Sequence, residues 1–221
     1  MVVLACLVFS ILPGRAAESV DTKYFKVNAD GTFTVSQIPF GIVVYNPSYA
    51  TDGQRSVTID KGFPLVTPGK AGPTWKLQGV WQPRWGGSAI KFTETIERLG
   101  EKSLHVVYIF ESGEGAALNI PHLLAFQFEL PAEKHAGKTV LVDGAEVPLS
   151  EKVSYDNWGP GVMSIPLPEG RLVIRGDLKI RIQDDRPWSR DFFKVWLAIA
   201  QAPYTSKTAT LDLVFDYAPT P

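Results

Sequence analysis

Apolar and polar residues alternate with a period of two along most of this chain, the pattern of half-buried strands rather than helices. Alternating or β-branched runs occur at residues 25–27, 32–36, 40–45, 56–59, 75–81, 90–99, 104–110 and 122–130, and again at 139–142, 146–147, 162–165, 171–175, 178–182, 192–200 and 208–217. Turn residues separate nearly every pair, and the Asp-Gly steps in Asn28-Ala-Asp-Gly31 and Asp143-Gly144 are hairpin signals. One short helix is expected at Pro131-Ala-Glu-Lys-His-Ala136, at most a turn or two. Strands at this spacing predict two packed antiparallel sheets. The expected class is all-β, a single antiparallel β-sandwich of jelly-roll or larger supersandwich type.

Length and composition agree with that reading. The chain has 221 residues, of which 45% are hydrophobic and 20% charged, with 19 glycines and 17 prolines for tight turns. No composition break marks a second domain, so residues 17–221 are taken as one. The Pro- and Gly-rich stretch 61–74 reads as a long surface loop, because what precedes it is too short to bury a good core alone. Net charge is −1 with no long basic run, which argues against nucleic acid as a partner.

Residues 1–12 are apolar and are followed by Pro13-Gly-Arg-Ala-Ala17, which suits a signal peptide over 1–16 cleaved after Ala16, although a basic n-region is missing. A membrane span needs roughly 20 apolar residues. This run is shorter, so no span is expected in the mature chain, which would be secreted or periplasmic, in the cell envelope. The only cysteine, Cys6, lies in the leader, leaving neither a disulfide nor a thiolate metal site after processing.

Three segments concentrate side chains suited to recognition: Trp81-Gln-Pro-Arg-Trp-Gly-Gly87, Tyr155-Asp-Asn-Trp-Gly-Pro-Gly161 and Gln183-Asp-Asp-Arg-Pro-Trp-Ser-Arg-Asp191. All three read as loops. An indole offers a flat apolar face and an N–H that seeks a partner. A sugar ring has the complementary form, so flat aromatics with carboxylate, amide or guanidinium groups suit it. The candidate ligand residues are Trp85, Trp158, Asp184, Asp185, Arg186 and Trp188. The competing reading makes the charges of the third segment a structural network pinning the turn; Trp75, Trp81 and Trp196, in or at the edge of strands, read as core.

Catalytic constellations are weaker. Neighbours such as Asp184 and Asp185 on an extended chain point to opposite faces, a poor acid and base pair. Glu94 with Glu97 and Glu111 with Glu114 read as surface charges. His105, His122 and His135 lack metal-ligand spacing and read as packing or surface residues. No nucleophile elbow, phosphate loop or dinucleotide fingerprint occurs, so no cofactor or metal is expected.

Leu130-Pro131 followed by Gly137-Lys-Thr-Val-Leu-Val-Asp-Gly144, then Gly170-Arg-Leu-Val-Ile-Arg-Gly176 and Gln183-Asp-Asp-Arg-Pro-Trp188 ahead of Phe193-Lys-Val-Trp-Leu197, resembles the N-terminal accessory β-sandwich domain of some secreted bacterial glycoside hydrolases. The resemblance spans residues 24–217. It implies polysaccharide-associated biology, with catalysis by a separate domain or chain, and carries no catalytic residue onto this sequence. Three functions stay open: a secreted non-catalytic module that binds carbohydrate or supports a carbohydrate-active enzyme, a polysaccharide hydrolase or lyase using the third segment, and a structural or protein-interaction module of the cell envelope.

Overall fold

The computed structural model describes residues 22–28, 31–45, 48, 51–53, 58–59, 67–68, 73–81, 89–113, 115–120, 122–150 and 154–220. The expected leader, most of the 61–74 loop and the 82–88 part of the first Trp-rich segment lie outside them.

The strands in chain order are β1 (Phe25–Val27), β2 (Phe33–Val35), β3 (Ile38–Tyr45), β4 (Thr51–Gly53), β5 (Thr58–Ile59), β6 (Thr67–Pro68), β7 (Pro73–Trp81) and β8 (Ile90–Gly100). They continue as β9 (Ser103–Ser112), β10 (Leu123–Pro131), β11 (Thr139–Val142), β12 (Ala145–Pro148), β13 (Ser154–Leu167), β14 (Gly170–Asp184), β15 (Phe192–Gln201) and β16 (Thr208–Pro219), with one helical turn, α1 (Ala132–His135), after β10. All pairings are antiparallel and follow the order β1-β2-β3-β10-β15-β14-β16-β9-β8-β7-β5. The chain is thus the all-β sandwich that its alternation predicts.

Two layers arise because β14 belongs to both. Its first half, from Gly170 to Gly176, pairs with β16, and its second half, from Lys179 to Asp184, pairs with β15. The strand changes layers just after Gly176, whose φ is +157°, and a Cβ there would stand 2.3 Å from the Asp212 carbonyl oxygen. Only glycine fits such a backbone approach. The sequence suggests two strands here, and the structure makes them one continuous element with a glycine bend.

The layers meet in an aromatic core. Phe33 and Phe40 of one layer pack edge-on against Phe215 of the other at 5.2 and 5.4 Å between centroids, and Phe126 lies 6.0 Å from Tyr108. Edge-to-face packing of this kind is the favoured geometry for rings, whose faces carry negative and edges positive potential. Every second residue of β9, Leu104, Val106, Tyr108 and Phe110, is buried. β1 and β2 pair antiparallel, with the Gly31 N–H 3.0 Å from the Asn28 carbonyl, and the predicted turn at Asp143-Gly144 joins β11 to β12, both residues having positive φ.

Two further expectations are corrected. The segment 155–161 is not a loop but part of β13, with Trp158 opposite Lys179. Among the described residues this stretch pairs with β14 alone, so it is an edge, where Pro160 can lack an N–H without breaking a ladder. Glu94 is not a surface charge. It shares the phase of Phe92 and Ile96 on β8, is fully buried, and accepts a 2.6 Å hydrogen bond from the Tyr108 hydroxyl.

Candidate functional site

The third aromatic and charged segment is the connection from β14 to β15, and its chemistry follows from where those strands end. Asp184 keeps the phase of Ile180 and Ile182, which face the core, whereas Asp185 falls on the outer face with Lys194 and Gln183. The neighbouring carboxylates therefore point apart, as an extended chain requires.

Each is buried and each holds a cation. The Asp184 carboxylate accepts from Arg186 three times: from the backbone N–H at 3.1 Å, from Nε at 2.8 Å and from Nη2 at 2.9 Å. The guanidinium in turn lies 4.8 Å from the Phe193 ring centroid. Such a bidentate fork fixes direction as well as charge. Asp185 accepts from Lys194 Nζ at 2.5 Å and from Gln183 Nε2 at 3.0 Å.

These pairs clamp a single 3-10 turn over Arg186–Trp188, closed by hydrogen bonds from the Trp188 N–H to the Asp185 carbonyl and from the Ser189 N–H to the Arg186 carbonyl, both 3.0 Å. Pro187 pre-sets its φ for the turn, and Ser189 exits with φ +61°. The Ala132 N–H donates to the Asp191 carbonyl at 3.0 Å, tying the turn to α1. On this anchored frame Trp188 stands 62% exposed.

A second group of residues extends from the clamp across the outer face of β3, β10 and β15. Antiparallel register sets Glu129 opposite Lys194 and Gln127 opposite Trp196. Trp196 Nε1 donates to the Tyr45 hydroxyl at 2.7 Å, and that hydroxyl donates to Gln127 Oε1. The two rings meet edge-on at 6.1 Å, and with Ala125 they form a small buried cluster separate from the main core. Lys194 Nζ lies 5.3 Å from the Trp196 ring and 5.7 Å from Phe192, while the Arg190 guanidinium lies 5.9 Å from Phe192.

Burial shapes the ionisation of this face. It pushes the Tyr45 phenol well above its usual range, against the hydrogen bond from Trp196, with the Asp185 and Glu129 charges adding to the rise. It also raises Glu129, opposed by the positive charges of Lys194 and Arg190. The face thus keeps its donors in internal hydrogen bonds, with one phenol that stays neutral and a carboxyl that accepts a proton more readily than usual.

Of the residues proposed from sequence, the structure brings Asp184, Asp185, Arg186 and Trp188 into one turn. Trp85 and the side chain of Trp158 lie outside the described residues. Sequence reading missed Tyr45, Gln127, Glu129 and Lys194; its reading of Trp196 as core holds, since the residue is buried in the small second cluster. The available signal was Lys194 inside an apolar run and Gln127 with Glu129 in the polar phase of β10. Among the described residues no group of three His, Cys, Asp or Glu side chains could hold a metal ion, and no helix is long and apolar enough to cross a membrane.

No family model matches the chain. No curated protein sequence matches it either. Its fold is similar to the crystal structure of a protein from Escherichia coli K12 described as "a Putative aldose 1-epimerase", with a TM-score of 0.52 and 10% sequence identity over 89% of this chain and 96% of that one. At that identity the likeness is one of fold.

Proposed function

We propose that this chain is an exported, non-catalytic β-sandwich module that binds carbohydrate and works alongside a separate polysaccharide-active domain or chain. The observation that carries the reading is Trp188, 62% exposed on a turn held by two ion pairs, Lys194–Asp185 buried on both sides and Asp184 buried beneath the part-exposed Arg186. An aromatic face already fixed in place loses little freedom when a ring stacks on it, which favours binding. Arg190 and Asp191, both exposed, supply polar partners for a hydroxyl rim.

The fold supports the same direction, since the similar structure carries a description that names a sugar epimerase. Hydrolysis gains less support from this turn. Glycoside hydrolysis needs two carboxyl groups about 5–9 Å apart across a bond, whereas Asp184 and Asp185 face opposite sides of the sheet, each engaged by its own cation.

The test is affinity electrophoresis against plant, algal and host polysaccharides, backed by a glycan array, with Trp188→Ala as the paired variant. Retardation by at least one polysaccharide that the variant loses supports the reading. No retardation by any polysaccharide, or retardation equal in the variant, overturns it.

A further inference from the structure

A cleft of about 610 Å³ opens elsewhere, between the β1–β2 hairpin, α1 and the Leu167-Pro-Glu169 turn joining β13 to β14. Its charge is lopsided. Lys23, Lys26 and Lys134 line it against a single carboxylate, Glu169. Tyr24 and Tyr217 stack in its wall with ring centroids 4.5 Å apart, and the Lys23 and Lys102 ammonium groups sit 5.4 and 5.9 Å from the Tyr24 centroid. Of the lining lysines, Lys23 is thus held near an aromatic ring, with Lys102 beside the cleft adding a further positive charge.

His135, only 2% exposed, also lines the cleft. Its Nδ1 lies 3.0 Å from the Pro131 carbonyl, and its buried Nε2 makes no hydrogen bond of acceptable geometry, the Pro166 carbonyl near the ring not satisfying it. A carbonyl only accepts, so Nδ1 carries the proton in the neutral ring and Nε2 presents a lone pair. Burial favours that neutral ring, with Lys138 and Lys134 helping and the Pro131 and Pro166 carbonyls opposing. A buried acceptor without a donor is a rare arrangement in a folded protein. The turn at the cleft rim is unusual too: Ser36 and Gln37 both adopt positive φ, at +46° and +73°, where glycine or asparagine is the common choice.

We propose that this cleft binds an anionic saccharide unit, its carboxylate or sulfate held by the lysines and a ring hydroxyl donating to His135 Nε2. The lysines select charge, and the imidazole selects a hydroxyl donor, so neither a simple anion nor a neutral sugar satisfies both. The site is separate from the Trp188 turn, and a failure here leaves the proposed function standing.

The test is calorimetric titration of the full chain with four probes: an oligogalacturonate, the same oligomer fully methyl-esterified, a sulfated oligosaccharide and sodium sulfate. The free oligogalacturonate or the sulfated oligosaccharide should bind at least tenfold more tightly than the ester and than sodium sulfate. The exposed double substitution Lys23→Gln with Lys134→Gln should weaken that binding at least tenfold without moving Tm, while Trp188→Ala leaves it unchanged. In 15N spectra of the histidines, the His135 Nε2 signal should shift on binding, and His135→Phe should lose affinity if it folds. Equal binding of ester and acid, equal binding of sodium sulfate, no effect of the lysine substitutions, or no binding of either charged saccharide overturns the proposal.

Discussion

Replacing Lys194 by methionine tests whether the Trp188 turn is held from beneath by a buried charge. Lys194 Nζ lies 2.5 Å from Asp185 Oδ2, and the two side chains are only 10% and 4% exposed. Methionine retains much of the apolar stem against Trp196 and Phe192 but removes the ammonium group, leaving the Asp185 carboxylate with the neutral Gln183 donor. An exposed pair would cost about 0.2–1 kcal/mol to break. Breaking a buried one costs roughly 3–5 kcal/mol, because the remaining charge is stranded away from water. At roughly 2–4 °C per kcal/mol for a chain of this size, Tm should fall by roughly 6–20 °C.

The size of the loss alone does not separate charge from packing, so the second arm is Lys194→Met with Asp185→Asn. Removing both charges strands neither, and the double variant should regain most of the lost stability. Thermal melts followed by circular dichroism, with urea unfolding for free energies, measure both. A single-variant loss below about 1 kcal/mol, the range of an exposed pair, would refute the reasoning. So would a double variant whose loss equals the sum of the two single ones.

Three further outcomes follow from the same geometry. Trp188→Ala should abolish polysaccharide retardation while shifting Tm by less than about 3 °C, since the indole is 62% exposed and few contacts are lost. Gly176→Ala should cost more than about 2 kcal/mol in urea unfolding, because φ of +157° and a backbone oxygen 2.3 Å from the new Cβ leave nothing flexible to yield. Glu129 is raised above its ordinary 4.5 chiefly by burial, so the fold holds its proton more tightly than the unfolded chain does. Its contribution is therefore present below pH 4.5 and lost as pH rises through the raised value; Glu129→Gln should flatten that part of the stability profile, and a profile of unchanged slope would contradict the assignment.

The strands were legible because period-two burial is a local property. Leu104, Val106, Tyr108 and Phe110 declare their phase within a few residues, and the Asp143-Gly144 turn carries its conformation in its residue types. What failed to show is where local rules meet a neighbour. Pro160 and its flanking glycines look like a loop until β14 pairs with them along an edge that asks little of a proline. Gly176 looks like a break between two strands, yet the close approach of the Asp212 carbonyl makes it the bend of one. Glu94 looks like surface because its type is polar, although its phase already places it with Phe92 and Ile96, and the Tyr108 hydroxyl, fourteen residues on, helps to satisfy it.

The candidate site divides in the same way. Asp184, Asp185, Arg186 and Trp188 are neighbours in sequence, and their opposed directions follow from an extended backbone alone. Tyr45, Gln127, Glu129, Lys194 and Trp196 come from three strands, and sequence gives each strand's phase without the register that sets Glu129 opposite Lys194 and Trp196 opposite Gln127. Phase alone reads Trp196 as core, which it is; register adds that its core is a small second cluster in which the indole donates to Tyr45. Register also bears on the charged turn, since pairing Gln183 with Lys194 brings the ammonium group to Asp185. Asp184 and Asp185 are committed to Arg186 and Lys194, and that commitment is what holds an exposed indole in one place. The charges need not touch a ligand to matter for binding. Loosening the Lys194 pair should therefore weaken polysaccharide retardation through mobility of Trp188 even where the fold survives, an effect that a role confined to stability would not produce.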